Sequence, residues 1–223
     1  MRILFKTNYR QDLNLAKHSG HRFWYGLLIL ILFAAPMMLD GYYIGEATRV
    51  LIYAMAGLGL MVLTGFTGQA SLGHAAFLAI GAYTNAWFLA QGFSSFVALP
   101  MAALLSMIGG LLVAIPAARM SGIYLAIATL AFAIIVEDFA GHLTSITGGN
   151  RGMMVDVPML FGYQIRQSWE LYLFVLSVLV VATLAVLNIL RSPLGRAMIA
   201  VRDSEVSSQA LGVNPMKIKV FAF

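Results

Sequence analysis

Few residues in this sequence could do chemistry. The chain has no cysteine, so disulfides, thiolate nucleophiles and Cys-based zinc sites are excluded. The four histidines, at 18, 21, 74 and 142, form no His-x-x-x-His pair at helical metal spacing, and no metal or other cofactor is expected. Glu137 and Asp138 are adjacent, so on a helix they point about 100° apart and cannot work as a general acid/base pair. Thr147-Gly-Gly-Asn-Arg-Gly152 is rich in glycine but lacks the Lys-Ser/Thr of a phosphate-binding loop and follows no predicted strand; it reads as a turn. No catalytic cluster emerges.

What stands out is polarity set in apolar surroundings. In Gly57-Leu-Gly-Leu-Met-Val-Leu-Thr-Gly-Phe-Thr-Gly-Gln-Ala-Ser-Leu-Gly-His-Ala-Ala-Phe-Leu-Ala-Ile-Gly-Ala-Tyr-Thr-Asn85, Ser71, Ala75 and Ala79 recur every four residues. Such a stripe of small residues lets membrane helices approach closely. On a neighbouring face His74, Leu78, Gly81 and Asn85 fall within an arc of about 60°. Polar side chains at bilayer depth are costly and are functional candidates by default. Ser71, His74, Gly81 and Asn85 are therefore candidates for a translocation path, although hydrogen bonding between helices would equally account for His74 and Asn85. Glu137 and Asp138 could attract a cation or simply sit at the membrane interface.

The elements that must position these residues are membrane spans. Hydrophobic residues are 61% of the 223 and charged residues only 10%, too few to cover a soluble globule. A span needs about 20 apolar residues, and such runs occur at 22–39, 50–66, 70–90, 97–118, 122–140 and 170–190. The second is short and rich in glycine, with 65–73 expected as a break in the helix. A long polar loop, 141–168, separates the last two. No small-x-small cleavage site follows the first run, which is therefore expected to be a retained span and not a signal peptide.

Lysine and arginine set the orientation. Six spans place both the basic tail 1–22 and the segment 191–214 in the cytoplasm, with eleven of fourteen basic residues inside and only Arg49, Arg151 and Arg166 outside. The net charge of +5 records this bias; without aromatic and basic residues interleaved, nucleic acid is not an expected partner. The expected fold is all-α: a polytopic membrane protein of about six transmembrane helices plus the start of a seventh, which Asn214-Pro215 would open as N-cap and first position. On that reading the chain stops inside its seventh span.

The cytoplasmic segment is densely punctuated. Ser192-Pro193 can open one helix, and Asp203 can cap a second over 204–211 with Glu205 in its first turn. Gly212 fits just past its end. Met198, Val201, Val206 and Ala210 would then form either a docking surface or the apolar face of a linker lying on lipid.

Gly65-Phe-Thr-Gly-Gln-Ala-Ser-Leu-Gly-His-Ala-Ala-Phe-Leu-Ala-Ile-Gly-Ala-Tyr83 closely resembles a signature of the branched-chain amino-acid ABC importer permeases, the LivM type. So do Ser121-Gly-Ile-Tyr-Leu-Ala-Ile-Ala-Thr-Leu-Ala-Phe132 and Thr147–Gly152, and the run from Ser192-Pro-Leu-Gly-Arg196 to Ala210-Leu-Gly212 looks like the family's ATPase-facing loop. These blocks lie in the family's order over most of 48–223; the first 45 residues carry no signature. The resemblance implies a bacterial inner-membrane permease domain over 23–223, working with a second permease subunit, two cytoplasmic ATPase subunits, a periplasmic or extracellular substrate-binding protein and membrane lipid. It implies a coupling loop at 191–214 using Gly195, Arg196, Arg202, Asp203, Glu205, Ala210 and Gly212. The general Glu-Ala-Ala coupling motif is absent: its spacing from Gly212 lands on Val206, and Glu205 is followed by Val206-Ser-Ser. Family members continue for several more spans, so the chain is expected to be incomplete. Relatives also serve urea, amides and aromatic acids, and an ion-coupled secondary carrier is the more distant alternative.

Overall fold

The computed structural model describes residues 19–155, 158–160 and 163–223. The basic residues Arg2, Lys6, Arg10 and Lys17 of the expected tail lie outside the described residues. The described chain is helical apart from loops and a two-residue hairpin, β1 (Met159–Leu160) with β2 (Tyr163–Gln164). In chain order the helices are α1 (Ser19–Met38), α2 (Gly41–Leu60), a π-helical turn (Met61–Phe66), α3 (His74–Ala90), α4 (Ser95–Ala117), α5 (Ile123–His142), α6 (Thr144–Thr147), a 3₁₀ turn (Gly149–Arg151), α7 (Ser168–Arg191), α8 (Pro193–Asp203), α9 (Glu205–Ala210) and α10 (Pro215–Ala222).

Four helices among the described residues are long and apolar enough to cross a membrane: Gly41–Phe66, Ser95–Ala117, Ile123–His142 and Ser168–Arg191. At about 1.5 Å per residue each covers the roughly 30 Å of a hydrocarbon core. Helix α1 is apolar over the shorter stretch Phe23–Met38. The predicted third span, 70–90, is a 17-residue helix that starts only at His74. Large apolar side chains such as Ile127, Ile134 and Val181 are left outward-facing, as lipid-facing residues would be.

Two compact units form, and α2 and α7 each contribute to both. In the first, whose described residues are 19–52 with 167–181, Ile44, Leu51, Tyr172 and Leu176 make a buried cluster, against which Leu32, Ala35 and Ala47 pack.

In the second unit, 53–166 with 182–223, α3 lies along α4 and α5. Small residues on α4 (Ala98, Ala102, Gly109, Gly110 and Ala114) are buried; Gly109 lets α3 approach closely, and Gly110 faces the Phe223 carbonyl. Ser106 donates to the Phe77 carbonyl at 3.1 Å beside Gly81, while Ile80 reaches Gly109. Ser94 caps α4, accepting from the Phe96 amide, and its hydroxyl donates to the Met159 carbonyl at 3.2 Å, tying the hairpin to that helix end.

The helix punctuation of 191–215 works largely as its residue types dictate. Ser192 accepts from the Leu194 amide with Pro193 in the first turn of α8, and Asn214 accepts from the Lys217 amide with Pro215 opening α10. One assignment is corrected: the cap of α9 is Ser204, which accepts from the Ser207 amide, and Asp203 is the last residue of α8. The carboxylate of Asp203 instead pairs with Arg202 at 3.0 Å, which takes it out of competition for the cap.

Candidate functional site

The break between α2 and α3 is the centre of the second unit's polar architecture. It is real, as the glycine-rich sequence suggests: a π turn ends at Phe66, and residues 67–73 are non-helical before His74. Its far end is tied to α5. The Leu72 amide donates to Thr129 Oγ1 at 3.0 Å, and Thr129, itself fully buried, donates on to the Ala126 carbonyl. Gly73 lies so close to α5 that a Cβ there would run into the Thr129 carbonyl. Sequence reasoning missed Thr129; its signal was a lone hydroxyl in an otherwise apolar run.

The four candidate path residues do not meet in one cavity. Ser71 precedes α3 and is buried. His74 opens the helix with Nε2 at 3.1 Å from the Ala56 carbonyl and its ring against Gly59. Gly81 faces Ser106, and Asn85 is half-buried one turn further on. Ser71 Oγ, His74 Nδ1 and Asn85 Oδ1 are each buried without a hydrogen-bond partner among the described residues.

The stripe of small residues has a different place from the one expected. Ser71 is not on the helix, Ala75 is exposed and Ala79 half-exposed, so the close contact with α5 is made by Gly73 instead. Ala75 and Ala79 line a cleft of about 490 Å³ between α3, α5 and the loop at 149–152. Glu137 and Arg151 also line it. Asp138 points elsewhere, 3.4 Å from His142 Nδ1. The glycine-rich loop is a turn organised by Thr147, whose hydroxyl donates to the Ala140 and Leu143 carbonyls and accepts from the Gly149 amide. A larger apolar cavity of about 750 Å³ runs between α3, α4 and α5, lined by Tyr83, Trp87, Phe132 and Phe139 among others.

A third, polar cavity of about 250 Å³ lies where the break meets α8, α9 and α10, and Arg202, Asp203 and Glu205 line it together with Gln69 and Lys219. None of the four path residues lines any of these three cavities. Arg202 donates from Nη1 to the Gly65 carbonyl at 2.8 Å. Glu205 accepts an ion pair from Lys219 at 2.5 Å. Gly195 packs against the end of α7, where a Cβ would meet the Leu190 carbonyl, and Arg196 donates to the Arg191 carbonyl at 3.1 Å. Gln69 and Lys219 were not found from the sequence, because nothing local marks two residues 150 positions apart as neighbours.

The outer face of the helix pair needs one correction. Met198 and Val201, expected on the same surface as Val206 and Ala210, are both buried, whereas Val206, Ala210 and Leu211 are exposed. Met198 and Val201, three residues apart on α8, share its inner face. The pair ends in a double turn: the Gly212 amide donates to the Gln209 carbonyl at 2.9 Å and the Val213 amide to the Ser208 carbonyl at 3.0 Å. This is a Schellman arrangement, which places the residue after the cap in left-handed geometry. Gly212 has φ +83°.

Comparison with known proteins agrees with this architecture. The model of the family described as branched-chain amino acid transport system / permease component matches residues 42–223. The chain is 36% identical, over 221 residues, to the high-affinity branched-chain amino acid transport system permease protein LivM of Salmonella typhimurium, covering 88% of this chain and 52% of that protein. Against the protein of the same name from Escherichia coli the identity is 35% with the same coverage. The chain thus spans about half the length of the curated relatives it matches. No solved structure matches.

Proposed function

Because the chain belongs to the branched-chain amino-acid transport permease family, a family of transport proteins and not of enzymes, we propose that it forms a membrane-spanning subunit of an ABC importer for branched-chain amino acids, energised by separate ATPase subunits. The observation that carries this reading is the helix pair α8–α9. It is capped at both ends, bonded to the interrupted second span through Arg202 and Gly65, and turns Val206, Ala210 and Leu211 outward. A short rigid element of this kind suits docking on a partner that does mechanical work.

In this proposal six spans cross the bacterial inner membrane, α10 begins a seventh, and the N-terminus and 191–214 face the cytoplasm. A second permease subunit completes the pathway, two ATPase subunits dock on α8–α9, and a periplasmic binding protein delivers the amino acid. Ser71, His74, Gly81 and Asn85 serve the path. His74 and Asn85 suit that role because each buries a polar atom with no hydrogen-bond partner among the described residues, open to a moving ligand or water. Gly195, Arg196, Arg202, Asp203, Glu205, Ala210 and Gly212 serve coupling.

The test is reconstitution of the full-length permease with its ATPases and binding protein in proteoliposomes. ATP-dependent uptake of leucine, isoleucine and valine is expected. Uptake driven by a proton or sodium gradient without ATPase subunits would overturn the proposal in favour of a secondary carrier. Uptake of urea, amides or aromatic acids instead would keep the importer and change its substrate.

A further inference from the structure

Three cytoplasmic helices converge on the break between α2 and α3. From α8, Arg202 donates to the Gly65 carbonyl at 2.8 Å, and its stem presses on Gly68, where a Cβ would stand 2.8 Å from Arg202 Cγ. Gly68 has φ +69°, so the chain turns under the arginine in a conformation that side chains disfavour. From α10, the Lys219 carbonyl accepts from Gln69 Nε2 at 3.2 Å. From α9, Glu205 holds the Lys219 ammonium at 2.5 Å. Gln69 is 2% exposed and Lys219 6%.

Stability alone is a poor reason for this arrangement. Lys219 is withdrawn from water while Glu205 stays about half exposed, so the cost of burying the ammonium offsets much of what the attraction supplies, and an apolar side chain of similar volume in place of the lysine would hold the helices about as well. What ionic and amide contacts add is direction: they fix one element to another at a defined point and can exchange partners inside a polar space. The 250 Å³ cavity provides that space, and while Gln69 Nε2 is bonded, its Oε1 has no hydrogen-bond partner among the described residues and is open to a new one.

The other end of the break acts on the membrane helices. Leu72 and Gly73 are fixed to Thr129 of α5, and His74 to Ala56 of α2. A displacement applied at residues 65–69 therefore reaches the start of α3 within a few residues of chain.

We propose that Gln69, Arg202 and Lys219 form a transmission joint that passes movement of the α8–α9 pair to the 67–73 break and so to the start of α3. The proposal rests on the reading of the chain as an ABC permease and adds which residues carry the stroke. All three are positioning residues; none touches substrate or nucleotide.

The experiment measures ATP hydrolysis and amino-acid uptake in the same proteoliposomes containing the full-length permease complex. Gln69→Leu removes the amide and leaves every charge in place; Lys219→Met keeps the stem and removes the ammonium. Each variant is expected to assemble and to hydrolyse ATP within about twofold of wild type, while uptake falls about tenfold, the order that loss of coupling between sites produces. Exchanging the pair, Lys219→Glu with Glu205→Lys, should recover a large part of the uptake lost in Lys219→Met. A structural role would move hydrolysis and uptake down together or abolish assembly in both variants, and either result overturns the joint; so does unchanged uptake. A wild-type complex that shows no ATP-dependent uptake would instead remove the permease reading on which the joint rests.

Discussion

The hydroxyl of Tyr172 donates to the carbonyl of Leu32 at 2.9 Å. In an uninterrupted helix that carbonyl would receive the amide of residue 36, but residue 36 is proline, inside α1, and has no N–H. The tyrosine from α7 thus supplies the donor that the proline withholds, at the centre of the cluster formed with Ile44 and Leu176. Tyr172→Phe should destabilise the folded protein by roughly 1 kcal/mol, the net worth of one such bond, read as a lower unfolding midpoint in detergent. In a Pro36→Ala background the loss should shrink, because the new amide can serve Leu32. Equal losses in both backgrounds would show that the bond does not compensate the proline.

Gly73 allows a second, sharper test. Its position leaves no room for a Cβ against the Thr129 carbonyl, and the partner is backbone, so it cannot swing aside. Gly73→Ala should therefore force the start of α3 away from α5 and reduce monodisperse protein on size exclusion. Ala79→Leu, which points into the 490 Å³ cleft, should reduce uptake more than folded yield. Normal yield for Gly73→Ala would show that the contact is not limiting.

Residues that act within one turn of themselves were legible in the sequence. Ser192-Pro193, Asn214-Pro215 and Gly212 do what their types prescribe, because capping depends on a side chain and an amide two or three residues away. Even so, Asp203 and Ser204 are both good caps, and a neighbouring arginine decided between them. The break was legible from its glycines, although residues 65–66 stay in the π-helical turn and only 67–73 are non-helical. The third span was set four residues too early because apolar character continues through 70–73 while helical geometry does not. Thr129, Gln69 and Lys219 were invisible, since their roles exist only once distant segments are brought together. The orientation of Met198 and Val201 was lost for a related reason. An amphipathic helix shows which face is apolar, but not whether that face meets its own protein, a partner or lipid.

Orientation is open to direct labelling. Met154 is almost fully exposed in the loop after the 3₁₀ turn, and Leu211 is exposed at the end of α9. If 141–168 lies outside and 191–214 inside, as proposed, a membrane-impermeant thiol reagent applied to intact spheroplasts should modify Met154→Cys and spare Leu211→Cys. Inverted vesicles should give the reverse. The opposite pattern in both preparations would turn the protein over and place Arg202 and Glu205 away from any ATPase.

The outward face of α9 separates docking from folding most cleanly. Ala210 is the last residue of the helix and is exposed, so Ala210→Glu leaves the Ser204 cap, the Arg202–Gly65 bond and the Gly212 turn intact. It also sets a negative charge near the carbonyl end of the helix, a cost of a few tenths of a kcal/mol up to about 1, too little to unfold the protein. Gly212→Val acts differently. Nothing crowds the position, but φ +83° costs a side chain roughly 1 kcal/mol or more, and a β-branched residue pays most. The strain falls on the turn that leads into α10. If ATPase subunits dock on α8–α9, Ala210→Glu should weaken their co-purification and abolish substrate-stimulated hydrolysis at normal permease yield. Gly212→Val should retain the ATPases more fully yet lower uptake, because its damage lies behind the docking face. Co-purification and uptake both unchanged in Ala210→Glu would place the docking surface elsewhere on the protein.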